Sequence, residues 1–217
     1  MSLLSFDIGI KNLSYCVLCK SDKKIKGWGI INLSLDSICS HINTKGTQCD
    51  KSAGFKTVDG KILCNSHSKL KQYESEKKMK KIKKNNSIHE IGKLMIKKFN
   101  DIPLLLECED VIVENQPSLK NPTMKTIQML VYSYFLIKSE PIRLDMINAR
   151  NKLKAYNGPK INCDIKDRYK LNKFLAIKYC DYMIKNEGQT YIELFNNSKK
   201  KDDLSDSYLQ GMYYLQL

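Results

Sequence analysis

Four acidic side chains in this sequence stand at positions from which a folded chain could bring them together. Asp7 closes the first apolar run of the chain, and Glu114 closes a later run that reads Val-Ile-Val. Asp203 and Asp206 are three residues apart, so a helix would carry both on one face. The apolar residues that follow Asp206 predict that this helix is buried. Buried carboxylates are costly unless a cation compensates their charge.

Clusters made of carboxylates alone are typical ligands of Mg²⁺ or Mn²⁺. Two such ions about 4 Å apart can activate a water molecule and stabilise the leaving oxygen in phosphodiester cleavage. This chemistry needs several carboxylates that converge from different elements. The sequence therefore predicts a catalytic metal site for phosphodiester hydrolysis, formed by Asp7, Glu114, Asp203 and Asp206.

Each acid also has a simpler explanation. Asp7 with Gly9 fits an ordinary turn, although a glycine here would also let a phosphate or metal approach the backbone. Sugar kinases and actin-like ATPases open with the same spacing, but they need further glycine-rich loops, and the 10 glycines of this chain are not clustered. Glu114 could be an exposed strand end. Asp203, or its neighbour Asp202, could simply cap a helix.

The hydrophobic pattern predicts the elements that must position these acids. Apolar runs joined by short turns predict an antiparallel meander of three strands at residues 2–7, 13–20 and 27–33. Helical spacing and turn signals then predict helix 87–99, strand 110–114, helix 121–138, strand 141–147, helix 167–186 and helix 203–216. The polar and basic residues 148–166 are expected to form a loop over a substrate. Together these elements predict an α/β fold with a mixed sheet flanked by helices.

The composition favours a polyanionic partner. Lys and Arg number 37 against 23 Asp and Glu, which gives a net charge of +14, and nucleic acid is the first candidate. The many Lys, Asn and Ile residues also fit a general compositional bias, which weakens this argument. The lysine-rich segment 71–86 predicts a solvated helix face or a flexible basic arm. Lysines of residues 77–84 and 148–173 are expected to contact a DNA backbone.

The sequence also predicts a compartment. No apolar run approaches the length of a membrane span, so a membrane partner is not expected. Met1 leads into an apolar strand without a basic leader, and we expect no signal peptide. Eight cysteines without a secretory signal then indicate a reducing, intracellular compartment, which for a viral protein would be the host cytoplasm or nucleus.

Several cysteine and histidine residues lie together in one polar segment. Cys64 and His67 have the spacing of a ligand pair, and Cys39 and Cys49 complete a Cys₃His set that is typical of structural zinc. So short a segment lacks a core of its own, and zinc would supply its folding energy. Four protein ligands would leave no open position for catalysis. Unliganded loop thiols are the alternative, and His41 is a reserve ligand.

Three short blocks form a pattern that spans most of the chain: residues 5–13 (SFDIGIKNL), 113–117 (VENQP) and 201–207 (KDDLSDS). In order and spacing they resemble the RuvC-like Holliday junction resolvases, above all the branch found in poxviruses, other large DNA viruses and fungal mitochondria. The resemblance implies a single RNase H-like nuclease domain over residues 1–217. The segment 34–70, which holds the cysteines and histidines, is then a zinc-binding insertion.

The same resemblance implies a function. Its members are homodimers that cut four-way or otherwise branched DNA by paired symmetrical nicks, with metals bound by the four acids. The family also uses a lysine near the scissile phosphate. The basic segments 152–154 and 168–173 fall in the right region, and we favour Lys173 or Lys170 at the start of the predicted helix 167–186. Two alternatives stay open: a non-catalytic DNA-binding scaffold on a nuclease-like fold, and another RNase H-like nuclease that acts on RNA–DNA hybrids.

Overall fold

The structure is a computed structural model that describes residues 1–73, 79–82, 87–119 and 121–217. Its contacts divide the chain into two compact units. Met1–Leu33 and Gly92–Leu217 form the first, which we name the sheet unit, and Ser34–Ile91 form the second, which we name the cysteine unit. The predicted zinc-binding segment 34–70 lies within the cysteine unit.

The elements along the described residues are β1 (Ser2–Asp7), β2 (Asn12–Cys19), β3 (Ile25–Asn32), β4 (Phe55–Lys56), β5 (Ile62–Leu63), β6 (Lys80–Lys81), α1 (Ile88–Asn100), β7 (Asp110–Glu114), α2 (Pro122–Lys138), β8 (Arg143–Ile147), α3 (Arg168–Met183), α4 (Gln189–Asn197) and α5 (Lys201–Tyr214). Short 3₁₀ helices, of which Ala149–Ala155 matters most here, connect some of them.

The sheet unit contains a five-stranded mixed sheet with the strand order β3-β2-β1-β7-β8. β1, β2 and β3 are antiparallel neighbours, which confirms the predicted meander. β7 pairs parallel with β1, and β8 pairs parallel with β7. All five residues of β7 are buried, as expected for a central strand that is covered on both faces.

Helices cover both faces of β1, because successive side chains of a strand point to opposite faces. Phe6 packs against Phe99 of α1 and Phe135 of α2, with ring centroids 5.4 and 5.5 Å apart. The neighbouring Ser5 points to the other face and lies against Gly211 of α5. A Cβ atom at Gly211 would lie 3.2 Å from the Cβ of Ser5, so the glycine lets α5 approach the sheet closely.

The cysteine unit contains a small antiparallel sheet with the order β5-β4-β6. Its edge strand β6 consists of two exposed lysines, Lys80 and Lys81. The prediction of a helix face or free arm is therefore wrong at these two residues, because β4 offers backbone groups for pairing and lysine suits an exposed edge. Residues 74–78 and 83–86 of the same lysine-rich segment lie outside the described residues.

The predicted strands and helices of the sheet unit lie close to their predicted bounds, whereas α4, the short strands β4, β5 and β6 and the 3₁₀ helices were not predicted. Helix α4 follows the predicted helix 167–186, which ends as an α-helix at Met183. The 3₁₀ helix Ala149–Ala155 occupies the start of the predicted loop 148–166, and the Asn148 side chain caps it by accepting the Arg150 N–H. Within the described ranges, none of the helices is long and apolar enough to cross a membrane.

Candidate active site: an acidic cleft

The sheet unit contains a cleft of about 410 Å³ where β1 and β7 end, which we name the acidic cleft. It is lined by all four of the predicted acids, Asp7, Glu114, Asp203 and Asp206. Other polar or charged residues along it are Gln116, Arg150, Lys152, Tyr169, Asn172, Lys173 and Asp202. The fold thus collects in one cleft acids that come from three distant parts of the sequence.

Strand pairing places Asp7 beside Glu114. β1 and β7 are parallel neighbours whose register pairs Phe6 with Val113, so the next residue of each strand emerges at the same edge of the sheet. Burial, followed by the charge of Glu114, raises the pKa of Asp7 well above its usual range. The Asp7 carboxyl group is therefore a site where a proton or a cation is favoured.

Helix α5 brings Asp206 to the same place. Its carboxylate is near enough to Glu114 and Asp7 for their charges to interact. Burial is the main reason why the pKa of Asp206 rises to about 6, although an ion pair with Lys152 counteracts it. The cleft therefore holds several carboxyl groups that ionise only reluctantly when no cation is bound.

Asp203 lies one helical turn before Asp206 and is more loosely held. Its carboxylate is 4.0 Å from the Lys200 ammonium, while burial and the neighbouring Asp202 raise its pKa. Asp202 in turn accepts a hydrogen bond from Lys173 at 2.8 Å. Lys173, one of the two lysines favoured from sequence, therefore lines the cleft but is paired with an acid outside the predicted set.

Lys152 is the cation that contacts the predicted acids most closely, and it was not predicted as a site residue. Its Nζ lies 2.5 Å from Oδ2 of Asp206, and its side chain is 17% exposed. Burial alone would lower the pKa of Lys152, but the carboxylates of Asp206, Asp7 and Glu114 outweigh it and raise the pKa. A sequence signal was present, since Asn148 can cap a short helix that begins just before Lys152.

Lys170, the other favoured lysine, lies in the first turn of α3 and is exposed. Its backbone N–H donates to the side chain of Asp167, the cap of that helix, at 2.8 Å. Lys170 is not among the described residues that line the acidic cleft.

Two buried glutamines hold Glu114 in position. Nε2 of Gln116 donates to Oε2 of Glu114 at 2.8 Å. The backbone N–H of Gln116 donates to Oε1 of Gln128 at the same distance. Gln128 is fully buried in α2, where it also accepts from Lys125 at 3.1 Å. Gln116 belongs to the block 113–117 that carries the resemblance, whereas Gln128 lies within the predicted helix 121–138 and was not singled out from the sequence.

Gly9 is explained by the turn between β1 and β2. A Cβ atom there would clash with the carbonyl oxygen of Asn12, which belongs to the same turn. On the side where a Cβ atom would lie, the turn itself fills the space beside Gly9. The expectation that Gly9 leaves room for a phosphate or metal is therefore wrong on that side.

The chemistry of the cleft fits hard divalent cations. Its donor atoms are carboxylate oxygens, the ligands that Mg²⁺ and Mn²⁺ prefer. A cation bound among them would relieve the repulsion that contributes to the raised pKa values of Asp7 and Asp206. The carboxylates present can thus hold a divalent cation, whose positive charge would attract the phosphate of a substrate.

The second predicted set lies in the cysteine unit. Cys39, Cys49, Cys64 and His67 converge there, with one ligand atom of each residue within 4.8 Å of all the others. All eight cysteines of the chain are free thiols.

A mixed sheet of this order, with acids at the ends of two parallel strands and on a helix that packs across them, defines the RNase H-like fold. Two solved structures share this fold with the chain. The yeast mitochondrial Holliday junction resolvase Ydc2 is similar over 99% of this chain and 78% of its own, with a TM-score of 0.54 and 16% sequence identity. The fowlpox virus Holliday junction resolvase is similar over 100% of this chain and 98% of its own, with a TM-score of 0.50 and 14% identity. The predicted fold class is confirmed, and the predicted resemblance to resolvases is confirmed at the level of the fold.

One sequence relative comes from a large DNA virus. A protein of Acanthamoeba polyphaga mimivirus, described as uncharacterized, is 35% identical over 208 residues, which covers 83% of this chain and 49% of the viral protein. The chain therefore spans about half the length of this relative. No protein-family model matches the chain.

Proposed function

We propose that this protein is a structure-selective DNA endonuclease that resolves four-way junctions by metal-dependent hydrolysis in the acidic cleft. The observation that carries the proposal is the convergence of Asp7, Glu114 and Asp206, which come from β1, β7 and α5. In the cleft that they share, the pKa values of Asp7 and Asp206 are raised. The fold that the chain shares with two resolvases and its net charge of +14 support a DNA substrate.

The cleft would hold Mg²⁺ or Mn²⁺ through the four predicted acids: Asp7, Glu114, Asp203 and Asp206. Bound divalent cations would supply an activated water molecule and neutralise charge on the cleaved phosphate. The fully buried Gln128 fixes the backbone of Gln116, whose side chain fixes the carboxylate of Glu114. This arrangement prepares one ligand before any cation arrives, which lowers the cost of ordering the site.

We infer that Lys152, ahead of Lys173 and Lys170, is the lysine nearest to the scissile phosphate. The three carboxylates around Lys152 keep its ammonium protonated at neutral pH. A fixed positive charge in a half-buried cleft stabilises a phosphate more than the same charge in water does. Lys173 lines the cleft but is exposed and paired with Asp202, and Lys170 is exposed and does not line it. Both suit contacts to the DNA backbone.

Paired nicks need two clefts, so we propose that the active protein is a homodimer. Selection of a branched substrate would then rest on the spacing of the two clefts and on DNA shape, since four-way junctions of different sequence share their geometry.

A labelled four-way junction incubated with Mg²⁺ or Mn²⁺ tests the proposal. We expect symmetrical nicks that leave a 5′ phosphate and a 3′ hydroxyl, and cleavage of linear duplex that is slower by at least roughly a hundredfold. Asp7→Asn should abolish cleavage but retain junction binding. Asp101→Asn, which changes an exposed aspartate after α1, should cut at the wild-type rate.

Two other outcomes would contradict the proposal. Tight junction binding without cleavage under any divalent cation would make the protein a DNA-binding scaffold. Faster cleavage of an RNA–DNA hybrid than of the junction would make it a different RNase H-like nuclease.

A further inference from the structure

Three thiols and one imidazole converge inside the cysteine unit. Cys39, Cys49 and Cys64 are buried, and His67 is half-buried. Sγ of Cys39 lies 3.4 Å from Nδ1 of His67, and the ligand atoms of the whole set lie within 4.8 Å of one another. A thiol–imidazole hydrogen bond explains the short distance between Cys39 and His67. It does not explain why the sulfur atoms of Cys49 and Cys64 lie beside them.

The backbone of the cysteine unit is arranged to present these four residues. Cys39 and Cys49 lie on opposite sides of a hairpin closed by the bridges Ile38↔Ser52 and Ile42↔Gln48. The backbone N–H of Cys39 donates to Lys51 O at 2.9 Å, and that of Cys49 donates to His41 O at 2.8 Å. Gly46, with a φ of +75°, turns the tip of this hairpin. The first pair of ligands is thus held by main-chain pairing.

A second turn presents the other two ligands. Cys64 follows β5 directly, and His67 opens a 3₁₀ helix three residues later. The backbone N–H of His67 donates to Sγ of Cys64 at 3.5 Å. Such a donor stabilises thiolate sulfur. The hairpin and this turn, which each present two ligands at one point, are what a tetrahedral metal needs from its protein.

The packing of the cysteine unit also indicates a cross-link at the three thiols. One hydrophobic cluster here has four buried members, and three of them are the thiols of Cys39, Cys49 and Cys64; the fourth is Leu63. Strands β4, β5 and β6 are two residues long each. The apolar burial in this cluster is too small to offset the entropy lost when the chain is ordered. A cross-link at the centre of the cluster would offset that loss.

We propose that Cys39, Cys49, Cys64 and His67 bind one zinc ion that holds the cysteine unit together, independently of the acidic cleft. Tetrahedral bonds of about 2.3 Å to sulfur and 2.0–2.1 Å to nitrogen place sulfur and nitrogen ligands about 3.6 Å apart. The observed distance between Cys39 and His67 is 3.4 Å, and Nδ1 is the nitrogen that faces the sulfur. The site therefore uses Nδ1 of His67.

His41 is assigned to a positioning role. Its ring lies against that of His67, with centroids 3.9 Å apart. Its Nδ1 faces the hydroxyl of Tyr73 at 3.3 Å and the amide of Gln72 at 3.4 Å. His41 thus supports the imidazole ligand from the side, and the Cys₃His set is complete without it.

Metal analysis of the full chain, purified without added metal, tests the site. We expect one zinc per chain, bound by three sulfurs at about 2.3 Å and one nitrogen at about 2.0–2.1 Å in X-ray absorption. Cys64→Ser should reduce the zinc content to less than about a tenth. The matched control Cys163→Ser, in the polar loop before α3, should keep full zinc. His41→Ala should also keep zinc, although it should lose the metal faster to a chelator.

Thiol labelling of the wild-type protein tests the site even if the Cys64→Ser variant fails to fold. A zinc-selective chelator should expose Cys39, Cys49 and Cys64 to alkylation, whereas Cys19 and Cys163 should react equally before and after. Absence of zinc after purification and after reconstitution, with no change in labelling, would overturn the proposal. Neither result depends on cleavage of DNA, so the proposed function stands or falls separately.

Discussion

At the scale of single residues, the cleft is a set of charges that do not balance without a ligand. The charge of Glu114 acts on the neighbouring Asp7, and Asp206 pairs with Lys152 at 2.5 Å. Burial, together with the close carboxylates, raises the pKa values of Asp7 and Asp206. The proposed cation ligands are thus the same residues that weaken the cation-free fold.

These raised pKa values predict how stability depends on pH. A carboxyl group whose pKa is raised by folding binds its proton more tightly in the folded state, so stability falls as pH rises from about 4 toward that raised pKa, which for Asp206 is about 6. In buffer without divalent cations, Asp7→Asn should therefore raise the Tm at pH 8 by roughly 2–8 °C, or about 1–2 kcal/mol. The gain should shrink toward pH 4, as a series of thermal melts would record.

The control for this prediction is Asp101→Asn, which should leave the Tm unchanged at both pH values. Equal Tm values for Asp7→Asn and wild type at pH 8 would contradict the account. Added Mg²⁺ should narrow the gap by stabilising the wild type more than the variant.

A second residue-scale prediction separates the lysines. Lys152→Met should slow single-turnover junction cleavage by about 10²–10³-fold, because it removes a preorganised charge from the cleft. The matched variant Lys173→Met removes an exposed cation that is paired with Asp202 and should slow cleavage far less, with its main effect on binding. Both variants should be checked for a native Tm first. The reverse order of effects would assign the catalytic role to Lys173.

At the scale of elements, helix α5 matters most because it carries two of the four predicted acids, Asp203 and Asp206, and packs on β1 and β2. Ser207 and Ser14 are joined by a hydrogen bond of 2.6 Å in the buried interface. Gln210, only 2% exposed, donates to the Ser5 hydroxyl at 3.2 Å and to the Phe6 carbonyl at 3.1 Å. These polar contacts fix the position of the helix along the strands, and they therefore fix where Asp206 lies relative to Asp7.

Gln210→Leu should destabilise the protein by about 1–3 kcal/mol, because it leaves the buried Ser5 hydroxyl without its partner. Urea unfolding, followed through the fluorescence of Trp28 beneath α5, measures the effect. Gln189→Leu makes the same change at an exposed position of α4 and should shift the midpoint little. Equal effects of the two changes would show that the buried contact contributes nothing.

The elements themselves were largely predictable from the sequence. Alternation and apolar runs marked β1, β2, β3 and β7, and Asn121 with Pro122 marked the start of α2. The missing elements have physical reasons. Helix α4 is short, begins after Gly188 without a side-chain cap and buries Phe195 against Trp28, so few sequence signals mark where it starts. Strand β6 is two lysines whose structure comes from pairing with β4, which local sequence cannot reveal.

At the scale of the whole molecule, the sequence could predict which acids meet but not what surrounds them. Two strand ends and a helix with acids three residues apart were enough to predict the four carboxylates. The partners Lys152 and Gln128 lie far from those acids in sequence. Asn148 marks the short helix that holds Lys152, but nothing near either residue ties it to the acids. Their roles follow from the strand register and from the docking of α5.

In the cysteine unit, the sequence was more informative about the candidate site than it was for the acidic cleft. Its four candidate ligands were predicted from residue type and spacing alone, because thiols and imidazoles in a polar segment have few other uses. The structure adds the hairpin and the turn that hold them, and it places the His41 ring against that of His67.

The acids of the cleft come from the first strand and from a helix nearly two hundred positions later, and this separation has a consequence for synthesis. A ribosome releases Asp7 and Glu114 long before it releases Asp203 and Asp206. Until α5 emerges and docks on β1, a nascent chain holds only Asp7 and Glu114 of the four predicted acids, and Asp206 is not yet there to pair with Lys152. Under the proposed function, a polypeptide that has not yet added α5 would therefore be unable to cut DNA.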